Sequence, residues 1–353
     1  MSVQLSKIEW CDLTVNFWEG CTKVSPGCAN CYAEDRDQRY HQGAHWGKGA
    51  PRKPVAAGPE KAKRMNAIAA KALFCRDLTT SKRGPITEED RGKEPDRYEP
   101  VRPLAFCMSL GDFFDPEVSI EMTIAALNVI SQAGHIDWMI LTKRPELILE
   151  HLQLALQSLP AGDQFDRLNS LLIGWLSGDP PENIALGTSA EDQKRWDQRV
   201  PVLAGIPAAA RFVSAEPLLG PIDISEHETT LDLVITGGES GAKARPCHPA
   251  WIETIHKDCH RTGLAHHHKQ WGEWVDTEIV KPPKEWHPTQ GRAIFLQEDG
   301  TVTGVGAGPK GSRMLWRAGK ATAGSEIMEL DSKIRKHSHP LLKFPLVHAP
   351  GRG

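Results

Sequence analysis

The sequence predicts an α/β protein built on a full or partial (β/α) TIM-type barrel, with a small β-rich appendage at its C-terminal end. Seven short runs are rich in apolar and β-branched residues and mostly do not alternate with polar ones, which is typical of strands buried on both faces. Stretches with helical spacing separate these runs, so neighbouring strands should run parallel. Six or more such units favour a barrel, and an open doubly wound sheet is the alternative.

The helices between the predicted strands have recognisable ends. One begins with Asp115 as its N-cap and Pro116 in its first turn, and it ends before Gly134. Two further helices begin at Pro145 and Pro249. The predicted strands span residues 14–19, 104–110, 138–142, 183–189, 211–215, 231–237 and 264–269.

These elements predict two parts of unequal size. Residues 1–275 should form a barrel-like catalytic domain with a basic insert around residues 45–100, and residues 276–353 a small β-rich segment with a polar tail. An Asp-Gly turn between two alternating runs predicts a β-hairpin in the second part. Segment 51–83 carries nine Lys or Arg against two acids. A solvated helix and loop explains that excess, and a surface that binds polyanions is the alternative.

The composition is that of a folded globular protein. The 353 residues are 40% hydrophobic and 25% charged, with a formal net charge of -3. No apolar run approaches the roughly 20 residues that a membrane-spanning helix needs, so we expect a cytoplasmic protein with no membrane partner. The small negative charge argues against a surface devoted wholly to nucleic acid.

Three cysteines lie close together in "GCTKVSPGCANCYAE", after the first predicted strand: Cys21, Cys28 and Cys31. Because disulfides are rare in a reducing compartment, we expect these thiols to hold metal. Their C-x6-C-x2-C spacing offers three thiolates to one centre. On a four-iron cluster, three protein ligands leave one iron open to a substrate or cofactor.

Zinc is the alternative metal, because His41, His45 or Cys11 could complete a closed four-ligand site. Free thiols are a third option. Of the other cysteines, Cys107 and Cys259 lie in predicted core, and Cys75 and Cys247 lack a thiol neighbour at ligand spacing.

Charged residues cluster where the predicted strands end. In a barrel of parallel strands these ends meet on one face, where the functional groups of such enzymes gather. We predict catalytic or substrate-binding roles for Lys143, Arg144, Glu216 and Lys269, since buried charges must be paired or hold a ligand. Any one of these residues alone could form a surface salt bridge or cap a helix. Ser189, at the end of another predicted strand, is expected to be a helix cap.

The motif "TGGESGAKARP" adds Gly237, Gly238 and Glu239 at the end of the sixth strand. Two glycines let a backbone approach a ligand closely, and Glu239 is suited to accept hydrogen bonds from an amine or a ribose hydroxyl. These three residues are therefore candidates for cofactor binding. A tight strand-to-helix turn explains the glycines equally well.

Five motifs in a fixed order carry a resemblance to known proteins. They are "GCTKVSPGCANCYAE", "LTKRP", "RFVSAEPLLGP", "DLVITGGESGAKARPCHP" and "HKQWGEW", and they extend from residue 20 to residue 274. Together they resemble a bacteriophage and prophage three-cysteine-motif protein family of unknown function. The first strand, the three-cysteine loop and the aromatic residue beside its last cysteine are also similar to the start of radical S-adenosylmethionine (radical SAM) enzymes.

The second resemblance implies a [4Fe-4S] cluster on Cys21, Cys28 and Cys31, with S-adenosylmethionine on the open iron. Reductive cleavage to a 5′-deoxyadenosyl radical would follow, with electrons from a donor protein. Tyr32 would lie beside the cluster, shielding iron or facing the adenine. The cofactor carries the chemistry, and the protein binds, orients and excludes water.

The sequence departs from the radical SAM pattern in two places. Six residues rather than three separate the first two cysteines, and the Gly-Gly-Glu segment follows the sixth strand instead of the second. The place that binds the methionine amine in that superfamily is occupied here by Ser109 and Asp112, which are the better positional candidates. In the seventh strand three histidines, His266, His267 and His268, replace an aromatic run, and we expect at least one in a core hydrogen bond.

The functional prediction is a radical SAM-type enzyme acting on an unidentified substrate. A nucleotide or nucleic-acid base is suggested by the phage resemblance and by segment 51–83. The alternative is a zinc-stabilised nucleic-acid-binding or accessory phage protein without catalysis. A metal-dependent hydrolase is a third interpretation, but His248 and the triple histidine have no recognisable ligand spacing.

Overall fold

The computed structural model describes residues 3–8, 10–285, 293–303, 308 and 311–323, so the predicted polar tail lies outside the described residues. The strands are β1 Leu13–Thr14, β2 Trp18–Glu19, β3 Lys53–Pro54, β4 Phe74–Asp77, β5 Arg83–Pro85, β6 Tyr98–Pro100, β7 Leu104–Cys107, β8 Asp137–Thr142, β9 Ile184–Ser189, β10 Ala210–Ala215, β11 Leu233–Gly237, β12 Ala265–Gln270, β13 Trp274–Asp276, β14 Ala293–Leu296, β15 Val302–Thr303 and β16 Arg313–Arg317. The helices are α1 Tyr32–His41, α2 Ala57–Ala70, α3 Glu88–Lys93, α4 Ile120–Gln132, α5 Ile148–Gln157, α6 Asp166–Leu176, α7 Gln193–Ala204, α8 Pro249–Thr262 and α9 Lys320–Ala323.

Seven parallel strands form the central sheet, in the order β1-β7-β8-β9-β10-β11-β12. Helices α4 to α8 lie between successive strands from β7 to β12, as the alternating sequence pattern predicts, except that a short 3-10 turn, Glu228–Thr230, stands between β10 and β11. Within the described residues β1 and β12 are the two edges and do not pair with each other, so the sheet is a half-barrel flanked by helices. The carboxyl ends of all seven strands therefore face the same side.

The first predicted strand, residues 14–19, is two short strands that belong to different sheets. β1 pairs with β7 in the half-barrel, whereas β2 pairs with β3. Asn16 stands between them, and its side-chain oxygen accepts hydrogen bonds from the backbone N–H groups of Ser109 (2.8 Å) and Leu110 (2.9 Å). The Asn16 side chain takes the place of a backbone partner from the neighbouring strand here, so the main chain can leave the sheet and enter the cysteine loop.

Apolar side chains pack on both faces of the half-barrel. The outer face is covered by the helices, with Trp138 and Trp175 fully buried between them and the sheet. On the inner face Trp10, Phe106 and Phe212 belong to a smaller cluster, and the rings of Trp10 and Phe106 lie 4.6 Å apart. This inner cluster forms a floor, and the open space of the half-barrel lies above it.

Two predicted helix caps are wrong. Ser119 caps α4, because its hydroxyl accepts a backbone hydrogen bond from the first turn, and Asp115 instead forms a buried ion pair with Arg52 (2.9 Å). Asp192 caps α7, and Ser189 remains the last residue of β9. In both cases a polar residue closer to the helical run supplies the cap, which frees the predicted residue for another contact.

The basic insert has a sheet of its own but shares the half-barrel's main apolar core through residues such as Met65 and Phe74, and its charges are paired. β4 pairs with β5 and β6 in a separate antiparallel sheet. Arg76 pairs with Glu99 (2.6 Å) and Arg83 with Asp12 (2.8 Å). Both acids lie outside segment 51–83, so the positive excess counted along that segment overstates the charge on the folded surface.

The C-terminal part of the described chain forms an antiparallel sheet in the order β13-β16-β14-β15. The predicted hairpin is β14 with β15, and Gly300 lies in its turn at φ +90°. The indole nitrogen of Trp251 in α8 donates to the backbone oxygen of Glu298 (2.7 Å), which attaches the hairpin to the half-barrel.

The expected buried histidine hydrogen bonds are present in β12, on its helix-facing side. The hydroxyl of Thr236 lies 2.9 Å from His266 Nε2 and 3.1 Å from His268 Nδ1. His256 of α8 lies 3.0 Å from His266. Burial lowers the pKa of His268 to about 3, so this histidine is a neutral core residue at physiological pH.

Candidate active site

A cavity of about 910 Å³ opens at the carboxyl ends of the central strands. It is bounded below by the apolar floor and above by loops that follow the strands, as expected for this architecture. Its lining brings together eleven of the thirteen site residues that the sequence predicts: Cys21, Cys28, Cys31, Tyr32, Ser109, Asp112, Lys143, Glu216, Gly238, Glu239 and Lys269.

The three cysteines form one wall of this cavity. Cys21 follows β2, Cys28 ends a short 3-10 turn, and Cys31 is the N-cap residue of α1. All three are partly exposed, whereas the five other cysteines are buried, which confirms the prediction that Cys107 and Cys259 are core.

At least two of the three sulfur atoms in the cysteine wall lie more than 4.8 Å apart. Within the described residues they do not form a group whose ligand atoms all lie within 4.8 Å of one another, and neither His41 nor His45 forms such a group with them. Tetrahedral zinc with Zn–S bonds of about 2.3 Å would hold its sulfurs about 3.8 Å apart. A four-iron cluster is a larger body, and wider sulfur separations suit it better.

Hydrogen bonds from distant parts of the chain hold the cysteine loop in place. The backbone N–H of Gly27 donates to Glu191 (2.9 Å), and the side chain of Asn30 donates to Glu239 (3.0 Å). The guanidinium of Arg245 donates to the backbone oxygen of Pro26 (3.0 Å). Residues that follow β9 and β11 therefore hold the loop in place, and we call this set of contacts, made by Glu191, Glu239 and Arg245, the clasp.

Glu239 is fully engaged in this clasp. Its carboxylate accepts hydrogen bonds from Arg245, with a closest contact of 2.6 Å, as well as from Asn30. Burial alone would raise the pKa of Glu239, but these hydrogen bonds outweigh burial and lower it. Glu239 thus remains ionised and positions the cysteine loop, which accounts for its place without a cofactor amine.

Arg144 lies behind Cys21 rather than in the open cavity. Its guanidinium pairs with Asp112 (3.0 Å), lies 3.8 Å from the Cys21 sulfur and donates to the backbone oxygen of Thr22 (2.8 Å). Burial and then the Asp112 carboxylate raise the pKa of Cys21 while Arg144 lowers it, and together they bring this pKa to about 12. The free thiol is protonated at neutral pH, and a bound metal would displace that proton.

Asp112 organises the strand ends next to Arg144. It accepts hydrogen bonds from the Thr142 hydroxyl (2.6 Å) and from the backbone N–H of Lys143 (2.9 Å). The backbone oxygen of Ser109 accepts a hydrogen bond from the phenol of Tyr32. Both predicted residues at the end of β7 are therefore at the cavity, and both are tied to the cysteine side of it.

The two lysines are held less firmly. The amine of Lys143 donates to the Ser189 hydroxyl (3.1 Å), and in the described part of the chain no carboxylate lies within ion-pair distance of it. Lys269 pairs with Glu216 (2.7 Å) at the edge of the cavity. These side chains face the open space and are available to a ligand.

The predicted glycines are explained by packing. A Cβ atom on Gly238 would come within 1.8 Å of the backbone oxygen of Trp271, and one on Gly237 would meet Glu216 at 3.2 Å. The loop after β11 thus passes directly against the segment after β12. This close approach supports the turn interpretation of these glycines over ligand binding.

Sequence reasoning missed several residues that build the site. Glu191, which pairs with Arg199 (3.1 Å), and Arg245 and Asn16 all position the cysteine loop or its neighbours. The position of Asn30 could have indicated its role, because it lies between two predicted metal ligands and its side-chain amide can donate hydrogen bonds to a neighbouring loop. The others contact the loop from positions that no local spacing marks.

Comparison with protein families places the chain in one of them. A family profile described as "Protein of unknown function (DUF5131)" matches residues 5–333, nearly the whole chain. The chain belongs to the DUF5131 family. No curated protein and no solved structure matches this DUF5131 member. The family carries no assigned function, so the resemblance to radical SAM enzymes and to phage proteins stays a prediction.

In the described part of this DUF5131 chain, no helix has the length and apolar character needed to cross a bilayer.

Proposed function

We propose that this DUF5131 protein is a radical SAM-type iron–sulfur enzyme. The observation that carries the proposal is the shared cavity: three partly exposed cysteines form one wall of a 910 Å³ space at the carboxyl ends of a parallel half-barrel, with Lys143, Lys269 and Glu216 also lining it. Ligand thiols and substrate-binding charges in one space are what a cofactor-dependent enzyme requires.

The residues present fit a four-iron cluster. Cys21, Cys28 and Cys31 supply three soft thiolate ligands on one side of the cavity, and their separation suits a cluster better than a single zinc ion. Three ligands leave one iron open toward the cavity. When bound, a [4Fe-4S] cluster with S-adenosylmethionine supplies a 5′-deoxyadenosyl radical through one-electron reduction by a donor protein.

The chain's own residues would bind and position the reactants. Arg144 places positive charge 3.8 Å from the Cys21 sulfur, which stabilises a thiolate ligand there. Tyr32 spans from the cysteine wall to the backbone oxygen of Ser109. Both side chains act on the cofactor end of the cavity, not on a substrate.

The cavity also suits a flat, anionic substrate such as a nucleotide or a nucleic-acid base with its phosphate. Lys143 and Lys269 provide positive charge for a phosphate, and Glu216 can accept hydrogen bonds from a base or sugar. Trp10, Trp46 and Phe106 line the same space and offer aromatic surfaces for stacking.

A zinc-stabilised binding protein without catalysis has less support. It leaves the cavity charges without a purpose, and the basic residues that would contact nucleic acid are in part neutralised, as in the pair Arg76–Glu99. The sulfur separation also disfavours a closed zinc site with tetrahedral geometry.

The test is the iron, acid-labile sulfide and zinc content of protein purified without oxygen. We expect about four irons and four sulfides per chain. The variant Cys21→Ala/Cys28→Ala/Cys31→Ala should lose both, and Cys75→Ala, which changes a buried cysteine outside the cavity, should keep them. Reduced wild-type protein should then convert S-adenosylmethionine to 5′-deoxyadenosine.

Two results would contradict the proposal. One is stoichiometric zinc without sulfide in the wild-type protein. The other is a Cys28→Ala variant that unfolds, because loss of a structural zinc ligand costs stability whereas loss of a cofactor ligand leaves the fold intact.

A further inference from the structure

A second set of metal-type ligands lies outside the cysteine wall. Asp37 and His41 are four residues apart in α1 and therefore lie on the same face of the helix. The chain turns back after the helix through Gln42 at φ +55° and Gly43 at φ +77°, which brings His45 onto that face. The turn is fixed because the backbone N–H of His45 donates to Asp37 (3.1 Å).

The three side chains converge. One ligand atom from each of Asp37, His41 and His45 lies within 4.8 Å of the other two. Among the described residues, no other three His, Cys, Asp or Glu side chains bring their ligand atoms this close together. The imidazole rings are 5.1 Å apart, and His45 Nδ1 lies 2.7 Å from the Asp37 carboxylate. Asp37 is fully buried while both histidines are partly exposed, so an ion can enter from solvent.

A second buried carboxylate, Glu19, lies beside these ligands and pairs with Arg36. The carboxylate of Glu19, which is also buried, lies 3.8 Å from His41 Nε2. The amine of Lys53 lies 3.0 Å from the same nitrogen and 4.0 Å from Glu19. Lys53 is 41% exposed, so it can move outward and yield its place to another positive charge.

We propose that Asp37, His41 and His45 bind a divalent transition-metal ion, with Glu19 next to it as a second carboxylate. Two imidazoles with carboxylate oxygens suit Zn²⁺, which takes nitrogen and oxygen ligands in tetrahedral geometry. The inference does not depend on the proposed function.

The ion would tie the end of α1 to the loop that supports the cysteine wall. In that loop the backbone N–H of Gly47 donates to the backbone oxygen of Cys21 (2.9 Å), and Arg52 donates to the backbone oxygen of His45 (3.3 Å). Gly20 is required at the same place, because a Cβ there would lie 2.3 Å from the backbone oxygen of His45. The site is therefore structural, and it braces the cavity wall from outside.

The experiment uses the full-length chain, both as wild type and as Cys21→Ala/Cys28→Ala/Cys31→Ala, freed of metal and titrated with Co²⁺ and then Zn²⁺. The triple-cysteine variant should bind one ion per chain. Its cobalt spectrum should show visible ligand-field bands without a thiolate charge-transfer band. His41→Ala and His45→Ala in that background should each bind at least about tenfold more weakly, and His260→Ala, an exposed histidine of α8, should bind as the parent does.

Lys53→Met keeps the proposal testable if the histidine variants fold poorly. Removing the competing ammonium should tighten Zn²⁺ binding by about tenfold. The proposal is overturned if the triple-cysteine variant binds no ion, if its affinity is unchanged by His41→Ala and His45→Ala, or if Lys53→Met leaves Zn²⁺ affinity unchanged.

Discussion

The charged residues around the cavity fall into two groups, the arginine–carboxylate pairs and the two lysines, and these groups have different contacts. On the cysteine side, Arg144–Asp112 and Arg245–Glu239 are pairs whose carboxylates are buried and whose remaining hydrogen bonds reach the cysteine loop. In contrast, Lys143 contacts a hydroxyl and Lys269 a single carboxylate at the cavity edge. Charge at the strand ends is therefore of two kinds, one that builds the cavity wall and one left for a ligand.

Arg144→Met should break the cysteine side most severely. Both Arg144 and Asp112 are nearly inaccessible, so the substitution leaves a buried carboxylate without its counter-charge, at a cost of about 3–5 kcal/mol in the free energy of unfolding. Urea denaturation measures this. The control is Arg76→Met, which removes an exposed pair and should cost less than about 1 kcal/mol. Equal losses in both variants would remove the distinction between the two kinds of charge.

Arg245→Met should have the next largest effect. Glu239 is buried but Arg245 is one-third exposed, so water can partly replace the lost guanidinium. We expect a loss of about 2–3 kcal/mol in the free energy of unfolding. Because Arg245 also contacts Pro26, the variant should retain less iron after anaerobic gel filtration. Full iron retention at this reduced stability would show that the clasp is not needed to hold the cofactor.

The Glu239 pair should also give the cysteine side a pH dependence. The folded-state pKa of Glu239 is lowered, so its stabilising contribution is present above the unfolded pKa of about 4.3 and is lost as pH falls through the folded value. The difference in unfolding free energy between wild type and Glu239→Gln should be largest near neutral pH and should shrink below about pH 4. Urea denaturation across this range measures it, and a constant difference would contradict the assignment.

The smallest effects on stability should come from substitution of the two cavity lysines. Lys143→Ala and Lys269→Ala remove contacts to a hydroxyl and to a partly exposed carboxylate, and each should cost less than about 1 kcal/mol. Each should nevertheless weaken nucleotide binding, measured by calorimetry, by about tenfold or more. If Lys143→Ala unfolds the protein instead, Lys143 belongs with the architectural charges.

The parts of this fold that sequence patterns predicted are those with local signals. Strands such as β8 and β11 are recognisable because their residues are continuously apolar, and α8 because Pro249 and Gly263 mark its ends. The cysteine site was likewise predicted from spacing within one short loop. These signals require no knowledge of what packs against them.

The parts that could not be predicted depend on long-range contacts. Gly27 and Glu191 are 164 residues apart, and Asn30 and Glu239 are 209 residues apart. No periodicity links such positions, so the contacts of Glu239 with Arg245 and Asn30 could not be predicted. Asp115 shows the same limit, because its buried partner Arg52 lies far from it in the chain and outweighs its propensity to cap a helix.

The clasp around the cysteine loop also sets an order of events during synthesis. The loop leaves the ribosome early, but its last anchor, Arg245, follows Pro26 by 219 residues. At roughly 5–20 residues per second, about 10–40 seconds pass before that anchor is made. During this interval the thiols lack the contacts that enclose them in the finished protein. The nascent chain therefore has a period in which the cysteine loop is open, and completion of the half-barrel closes the protein around that loop.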